Sequence, residues 1–215
     1  MINKNEKFVI TINRELGSGG RTVGRKLAEK LDVKFFDKWL INELKKKYDL
    51  TTEEVERVKG GNGDWWRQLL NAAVAIGQNM GDMSYVPHDP NDEYHLVTTS
   101  EMFRAETEIL SGIATDTSCV VAGRSGFYVF RQHPNHLSIL IQASMPFRVA
   151  RIMRKQNLSE AEACEVIKKV DKMRENYVNK YTGTSRYDSR NYDLVISADG
   201  KTEDQIVDLI LEYIG

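Results

Sequence analysis

The sequence predicts an α/β fold, a parallel sheet covered by helices on both faces. Two observations carry that expectation. Short β-rich runs alternate with segments of helical period along the chain, which is the pattern of a parallel sheet. The first run also passes into a helix through FVITINRELGSGGRTVGR, residues 8–25: an apolar strand, a glycine-rich turn and a helix start. That is the layout of a phosphate-binding loop, although the lysine of such loops is missing. No internal repeat or low-complexity linker divides the 215 residues, so residues 1–215 are expected as one domain.

Residues 8–13 read as the first strand, and residues 21–31 as a helix with Val23, Leu27, Ala28 and Leu31 at helical spacing. A second strand fits Val33 to Phe36 and ends at Asp37, followed by a helix through Trp39, Leu40, Ile41 and Leu44. Thr51 and Glu54 form a capping box for a third helix, which Gly60 to Gly63 stops. Asp64 caps a further stretch through Trp65, Leu69, Ala73 and Ile76. Residues 81–98 hold little periodicity and read as a mobile excursion. Ser100 leads into a helix with Phe103, Ile109, Leu110 and Ile113 inward. Cys119 to Ala122 and Leu137 to Ile141 are buried strands. Ser144 and Pro146 suit a helix start, and Ser159 with Glu162 boxes the start of a long polar helix towards Tyr181. Tyr192 to Ser197 gives the last strand, and Thr202 caps the final helix. Residues 38–115 are expected as a helical insert.

Composition narrows the partners. With a net charge of −1 there is no global basic field, so neither nucleic acid nor an anionic membrane is expected as a partner. Cys119 and Cys164 show no metal spacing and read as buried, reduced thiols. MINKNEKFVI runs into the first strand with no apolar leader, and no later stretch is long enough to span a bilayer, so cytoplasm is the expected compartment. The sequence leaves the oligomeric state open.

The glycine loop sets the chemistry. In open parallel sheets ligands sit at the carboxyl ends of the strands. A glycine turn there aims backbone amides at phosphate oxygens while the following helix presents its positive end. Gly17, Gly19 and Gly20 suit such a nest, and three glycines equally suit a tight turn against the sheet. Arginines at the other junctions favour the first reading: Arg124 after the third strand, Arg148, Arg151 and Arg154 on one helix face, Arg174 on the next helix, and Arg186 and Arg190 just beyond it. Phosphoryl transfer needs such groups, because guanidinium clamps oxygens bidentately and neutralises charge on the transferred group.

Ile12 to Arg21 resembles the SREFGSGGR signature of the cytidylate kinase-like family, P-loop proteins related to the nucleoside monophosphate kinases. The likeness continues at Phe35 to Lys38, Val120 to Arg124, Phe147 to Met153, Lys168 to Lys172, Tyr177 to Gly183 and Asn191 to Leu194. It implies a P-loop kinase-type three-layer fold with a five-stranded parallel sheet, a helical acceptor-binding insert and a lid over about residues 154–175. It further implies ATP and Mg2+ as cofactors and a nucleotide acceptor such as CMP. Gly17, Ser18, Gly19, Gly20, Arg21 and Thr22 match the phosphate loop. Arg21, Arg124, Arg148, Arg151 and Asp37 match the positions that carry catalysis, and Asp37, Lys38, Arg124, Asp171 and Arg174 those near the substrates.

Two departures accompany the match. Aligning the helix Val23 to Leu31 puts Gly20 at the lysine position and Arg21 at the magnesium-hydroxyl position; a one-residue shift reads Gly20-Arg21-Thr22 as an arginine form of G-K-T. Either way Arg21 or Arg14 has to supply the missing charge, and arginine is bulkier and forked. Ala122 stands where related kinases often carry an acidic residue, so no metal ligand is assigned. Three readings stay open: a nucleotide kinase, a kinase for another small metabolite, and a nucleotide-sensing binding protein with little turnover. His133-Pro134-Asn135-His136 reads as a solvated loop, and Trp65-Trp66 as helix packing.

Overall fold

The structure, a computed structural model, describes residues 2–37, 100–123 and 125–215. Five strands, β1 (Val9–Arg14), β2 (Lys34–Asp37), β3 (Cys119–Ala122), β4 (His136–Gln142) and β5 (Leu194–Ser197), form one parallel sheet in the order β2-β3-β1-β4-β5. The described helices are α1 (Gly20–Lys30), α2 (Ser100–Asp116), α3 (Gly126–Val129), α4 (Met145–Gln156), α5 (Glu160–Thr182) and α6 (Glu203–Ile214). Each expected strand lies within a residue or two of its expected place. Lys38, Arg124, the helices expected through Trp39, Thr51 and Trp65, and the excursion at 81–98 lie outside the described residues.

The strands are apolar almost throughout because both faces are covered. On one face Ile10, Ile12, Val120, Ile139 and Ile141 pack under Val23 and Leu27 of α1 and Ile206, Val207 and Ile210 of α6. On the sheet's other side α3 comes so close to β1 that a Cβ on Gly126 would lie 2.9 Å from Thr11 Cγ2. Capping sets the helix starts where the sequence places them. Ser144 accepts from the Phe147 amide, and both boxes, Ser159 with Glu162 and Thr202 with Gln205, close reciprocally. The parallel registers Ile12↔Ala122 and Arg14↔Ile141 bring the carboxyl ends of β1, β3 and β4 to one rim.

α4 and α5 form a hairpin turned by Asn157 in the left-handed conformation. Val149 and Ile152 of α4 meet Ala163 and Ile167 of α5 in a small cluster of their own, which Leu16 of the glycine loop joins. At its far end α5 packs on α2, where Phe103 stacks on Tyr181 at 4.9 Å between ring centroids. Cys119 is buried in β3 and its thiol is pushed up to about 12 by that burial, whereas Cys164 is only half-buried. No described helix is long and apolar enough to cross a membrane.

His136 departs from the expected solvated loop. It opens β4, and its Nε2 lies 2.8 Å from Thr11 Oγ1 on the neighbouring strand. Burial holds its pKa down at about 4. The unfolded chain, with histidine near its ordinary value, therefore binds the extra proton between about pH 6.5 and 4, and stability falls as pH drops through that window. Urea unfolding at pH 7 and pH 4.5 should show the wild type losing about 2 kcal/mol more than His136→Gln. Equal losses in the two proteins would exclude His136 as the titrating group.

Candidate phosphate-binding site

At the end of β1 the chain leaves the sheet as Glu15-Leu16-Gly17-Ser18-Gly19 and re-enters regular structure at Gly20. Gly17 and Gly19 sit at φ +86° and +87°, a region that side-chain-bearing residues seldom adopt. A Cβ on Gly17 would also lie 2.9 Å from the Arg148 carbonyl oxygen. Ser18 is buried, and its hydroxyl and amide both donate to the Glu15 carbonyl, which curls the loop tightly. Gly19 caps α1 without a side-chain oxygen, and no acidic residue stands in the first turn. The positive end of α1 is left for an outside anion, the arrangement that binds phosphate in other helix starts.

A buried ionic network holds the loop in this shape. Arg148 is almost fully buried; its Nε donates to the Leu16 carbonyl at 2.8 Å, Nη1 pairs with Glu15 at 3.1 Å, and Nη2 bonds Asp171. Asp171 Oδ1 accepts the Leu16 amide at 3.0 Å. Arg186, the largest fully buried side chain among the described residues, reaches the same carboxylate at 3.4 Å and also bonds the Arg14 carbonyl. Glu15 Oε2 in turn accepts the Ala143 amide at 2.9 Å, tying the loop to the end of β4.

The expected site residues therefore fall into distinct settings. Arg148 and Asp171 lie beneath the loop and bind its backbone. Arg174 lies beside them, 3.7 Å from Asp171 and with Nη1 3.5 Å from the Arg14 carbonyl. Burial and then the neighbouring Arg186 bring its pKa down to about 10. Arg21, in the first turn of α1, pairs through Nε with buried Asp37 of β2 at 2.5 Å. Arg151 stands against the loop's outer side, where a Cβ on Gly19 would lie 3.4 Å from its Cζ; Glu203 of α6 holds it there. Arg154 is exposed, and Arg190 pairs with Asp188 at the surface. The helix opens at Gly20, so Gly20 and not Arg21 is the first helical residue.

Glu15 and Arg186 carry more of the site than sequence reasoning assigned them. A carboxylate inside a glycine loop that folds into the protein is a signal in hindsight, since it needs a cation beneath it, and Arg148 is that cation. Arg186 has no such signal, because its burial follows from how the segment after α5 folds back under β1.

Magnesium finds no protein cage here. No group of three or more histidine, cysteine or acidic side chains converges among the described residues. Glu15, Asp37 and Asp171 are each held by arginine, and the first helical turn offers Arg21 where a hydroxyl would be needed. The described residues fit the metal as part of a magnesium–nucleotide complex, the form in which it commonly binds through phosphates and water.

The cytidylate kinase-like family matches residues 9–199, nearly the whole chain. The chain belongs to that family. Its fold recurs in a crystal structure of an uncharacterized protein from Eubacterium ventriosum, with 24% identity, a TM-score of 0.68, and coverage of 96% of this chain and 98% of that one. It also recurs in shikimate kinase from Bacteroides thetaiotaomicron, with 12% identity, a TM-score of 0.50 and coverage of 96% and 98%. A curated S-adenosylmethionine-dependent nucleotide dehydratase from Lacinutrix mariniflava is 24% identical over 96% of this chain. The chain spans between 23% and 36% of the length of the curated relatives it matches.

The network makes a direct prediction. Arg148→Met leaves Asp171 and Glu15 short of their main countercharge in a buried setting, so it should cost about 3–5 kcal/mol of stability in urea unfolding. Arg148→Met combined with Asp171→Asn should cost less than the sum of the two single changes. Full additivity would mean the two side chains do not act as a pair.

Proposed function

We propose that this cytidylate kinase-like chain moves the γ-phosphoryl group of ATP, bound with Mg2+, onto a small acceptor, a nucleoside monophosphate such as CMP. The observation that carries the reading is the uncapped start of α1 behind a two-glycine nest, ringed by arginines from β1, α1, α4 and α5 at the carboxyl rim of the sheet. Little covalent chemistry is required of side chains in this reaction; positioning and charge neutralisation supply the catalysis. In this reading the loop amides of residues 17–22 hold the donor phosphates, with Arg151 above Gly19. Arg21 and Arg124 neutralise charge on the transferred group. Asp37, already oriented by Arg21, positions the acceptor together with Lys38. Residues of about 154–175, in the α4–α5 hairpin, act as the lid, and its closure excludes water that would otherwise hydrolyse ATP. The nucleotide-handling name of the Lacinutrix mariniflava relative supports a nucleotide acceptor over a sugar or shikimate-like one.

A second reading, a nucleotide-binding protein with little turnover, is favoured by the engagement of Arg21 with Asp37, which ties up a cation the reaction would use. A coupled assay with ATP, Mg2+ and a panel of nucleoside monophosphates and small hydroxy acids separates the two. Turnover is expected with a nucleoside monophosphate, and nucleotide binding without turnover on any acceptor would favour the second reading. Arg124→Ala should lower kcat roughly thirty- to a thousandfold, the usual effect of losing a charge-assisted transition-state contact, with the melting temperature unchanged.

A further inference from the structure

The first helical residue, where aligning the helix on the usual kinase loop puts the phosphate-binding lysine, is Gly20. The space its side chain would need is filled. A Cβ on Gly20 would lie 2.6 Å from Cβ and 3.1 Å from Cγ of Arg14, with Ile141 Cβ behind them at 3.4 Å. Arg14, the last residue of β1, therefore runs its stem across the opening turn of α1. Its head continues towards β3: a Cβ on Gly123 would overlap Nη1 of Arg14 and lie 3.2 Å from its Cζ. Two missing side chains, at Gly20 and Gly123, make the channel through which Arg14 passes. The guanidinium ends beside the carboxyl ends of β1 and β3, two central neighbours of the sheet, where parallel sheets place their ligands.

Among the described residues the other site arginines have acidic partners: Arg21 has Asp37, Arg148 has Glu15 and Asp171, Arg151 has Glu203, and Arg174 and Arg186 have Asp171. The Arg14 guanidinium makes neither a hydrogen bond nor an ion pair with them; only its backbone amide and carbonyl are engaged. Among the described residues Arg174, Arg186 and Arg21 are its main cationic neighbours, and Asp37 offsets them in part. Burial first, and these cations after it, hold its pKa down at about 9, low enough to register the strain and high enough to keep it charged at neutral pH. A half-buried cation that has no acidic partner among the described residues and stands among like charges is costly until an anion of high charge density meets it.

We propose that Arg14 is the phosphate-contacting cation of this site, reaching the donor's phosphate chain from β1 across Gly20 in place of the lysine that α1 lacks. The assignment rests on the phosphoryl-transfer reading above and decides between Arg14 and Arg21 as the source of the missing charge. Arg21 is spoken for by Asp37 and remains beside the acceptor side of the rim. A fork entering from the floor of the site grips two phosphate oxygens at once, whereas a lysine from the helix offers a point charge.

Binding of ATP and of inorganic tripolyphosphate, followed by calorimetry and by thermal shift, tests the assignment without requiring turnover. Arg14→Met should weaken tripolyphosphate binding roughly ten- to a hundredfold, the usual consequence of losing a hydrogen-bonded charge pair. Its melting temperature without ligand should stay level or rise, because the substitution removes a like-charge cost, while the rise on adding tripolyphosphate shrinks. A merely structural arginine would do the reverse, lowering the unliganded melting temperature and leaving the ligand's increment intact. Arg14→Lys should keep binding within about tenfold of the wild type. If Arg14→Met does not fold, Arg14→Gln, which keeps a polar head and loses the charge, serves for the same comparison. Arg14→Met binding within about twofold of the wild type, with Arg21→Met losing the ligand, would overturn the assignment and leave the phosphoryl-transfer reading standing. A wild-type protein that binds neither ATP nor tripolyphosphate would overturn both.

Discussion

Asp171 is the carboxylate on which the site depends. It sits on α5, well over a hundred positions from the loop in sequence, yet it accepts the Leu16 amide while bonding Arg148 and meeting Arg174 and Arg186. A glycine-rich loop is loose by itself, since its residues lose more conformational freedom on ordering than any others. The loop stays in one shape because Arg148 grips the Leu16 carbonyl on one side and Asp171 the Leu16 amide on the other. Buried ion pairs add little net stability, but breaking one leaves an uncompensated charge, so the arrangement resists small displacements.

The same carboxylate gives the hairpin its connection to the glycine loop. α4 supplies Arg148 and Arg151, α5 supplies Asp171 and Arg174, and the two helices share an apolar cluster that includes Leu16. Movement of this hairpin would be felt at the loop directly, through Leu16, with no intermediate element.

Charge is distributed unevenly around the rim. Among the described residues, acids lie under the loop and at the end of β2, where each is held by arginine, while Arg14, Arg174 and Arg186 stand close together at the end of β1. This local excess coexists with a net charge of −1 over the chain. An overall charge near zero therefore says little about an anion site, because a handful of converging arginines suffices to build one.

The strands, the capped helix starts and the glycine nest were legible in the sequence because each is a local property: alternation of apolar runs, a hydroxyl three residues before its partner, glycines where the backbone turns left-handed. The spacing of Val23 and Leu27 placed the helix from residue 21 and left the loop register open; the structure starts it at Gly20. The roles of the arginines were not legible. Arg148, Arg151 and Arg154 recur at one spacing on one helix, yet the first is buried under the loop, the second lies against Gly19 and the third is exposed. Only the packing of α4 and α5 against the end of β1 separates them. Arg14 reads in the sequence as the residue after a strand, and the sequence alone left it level with Arg21. What distinguishes it is the absence of side chains at Gly20 and Gly123, residues 6 and 109 positions away, and that vacancy has meaning only once the sheet has brought β1, α1 and β3 to the same rim.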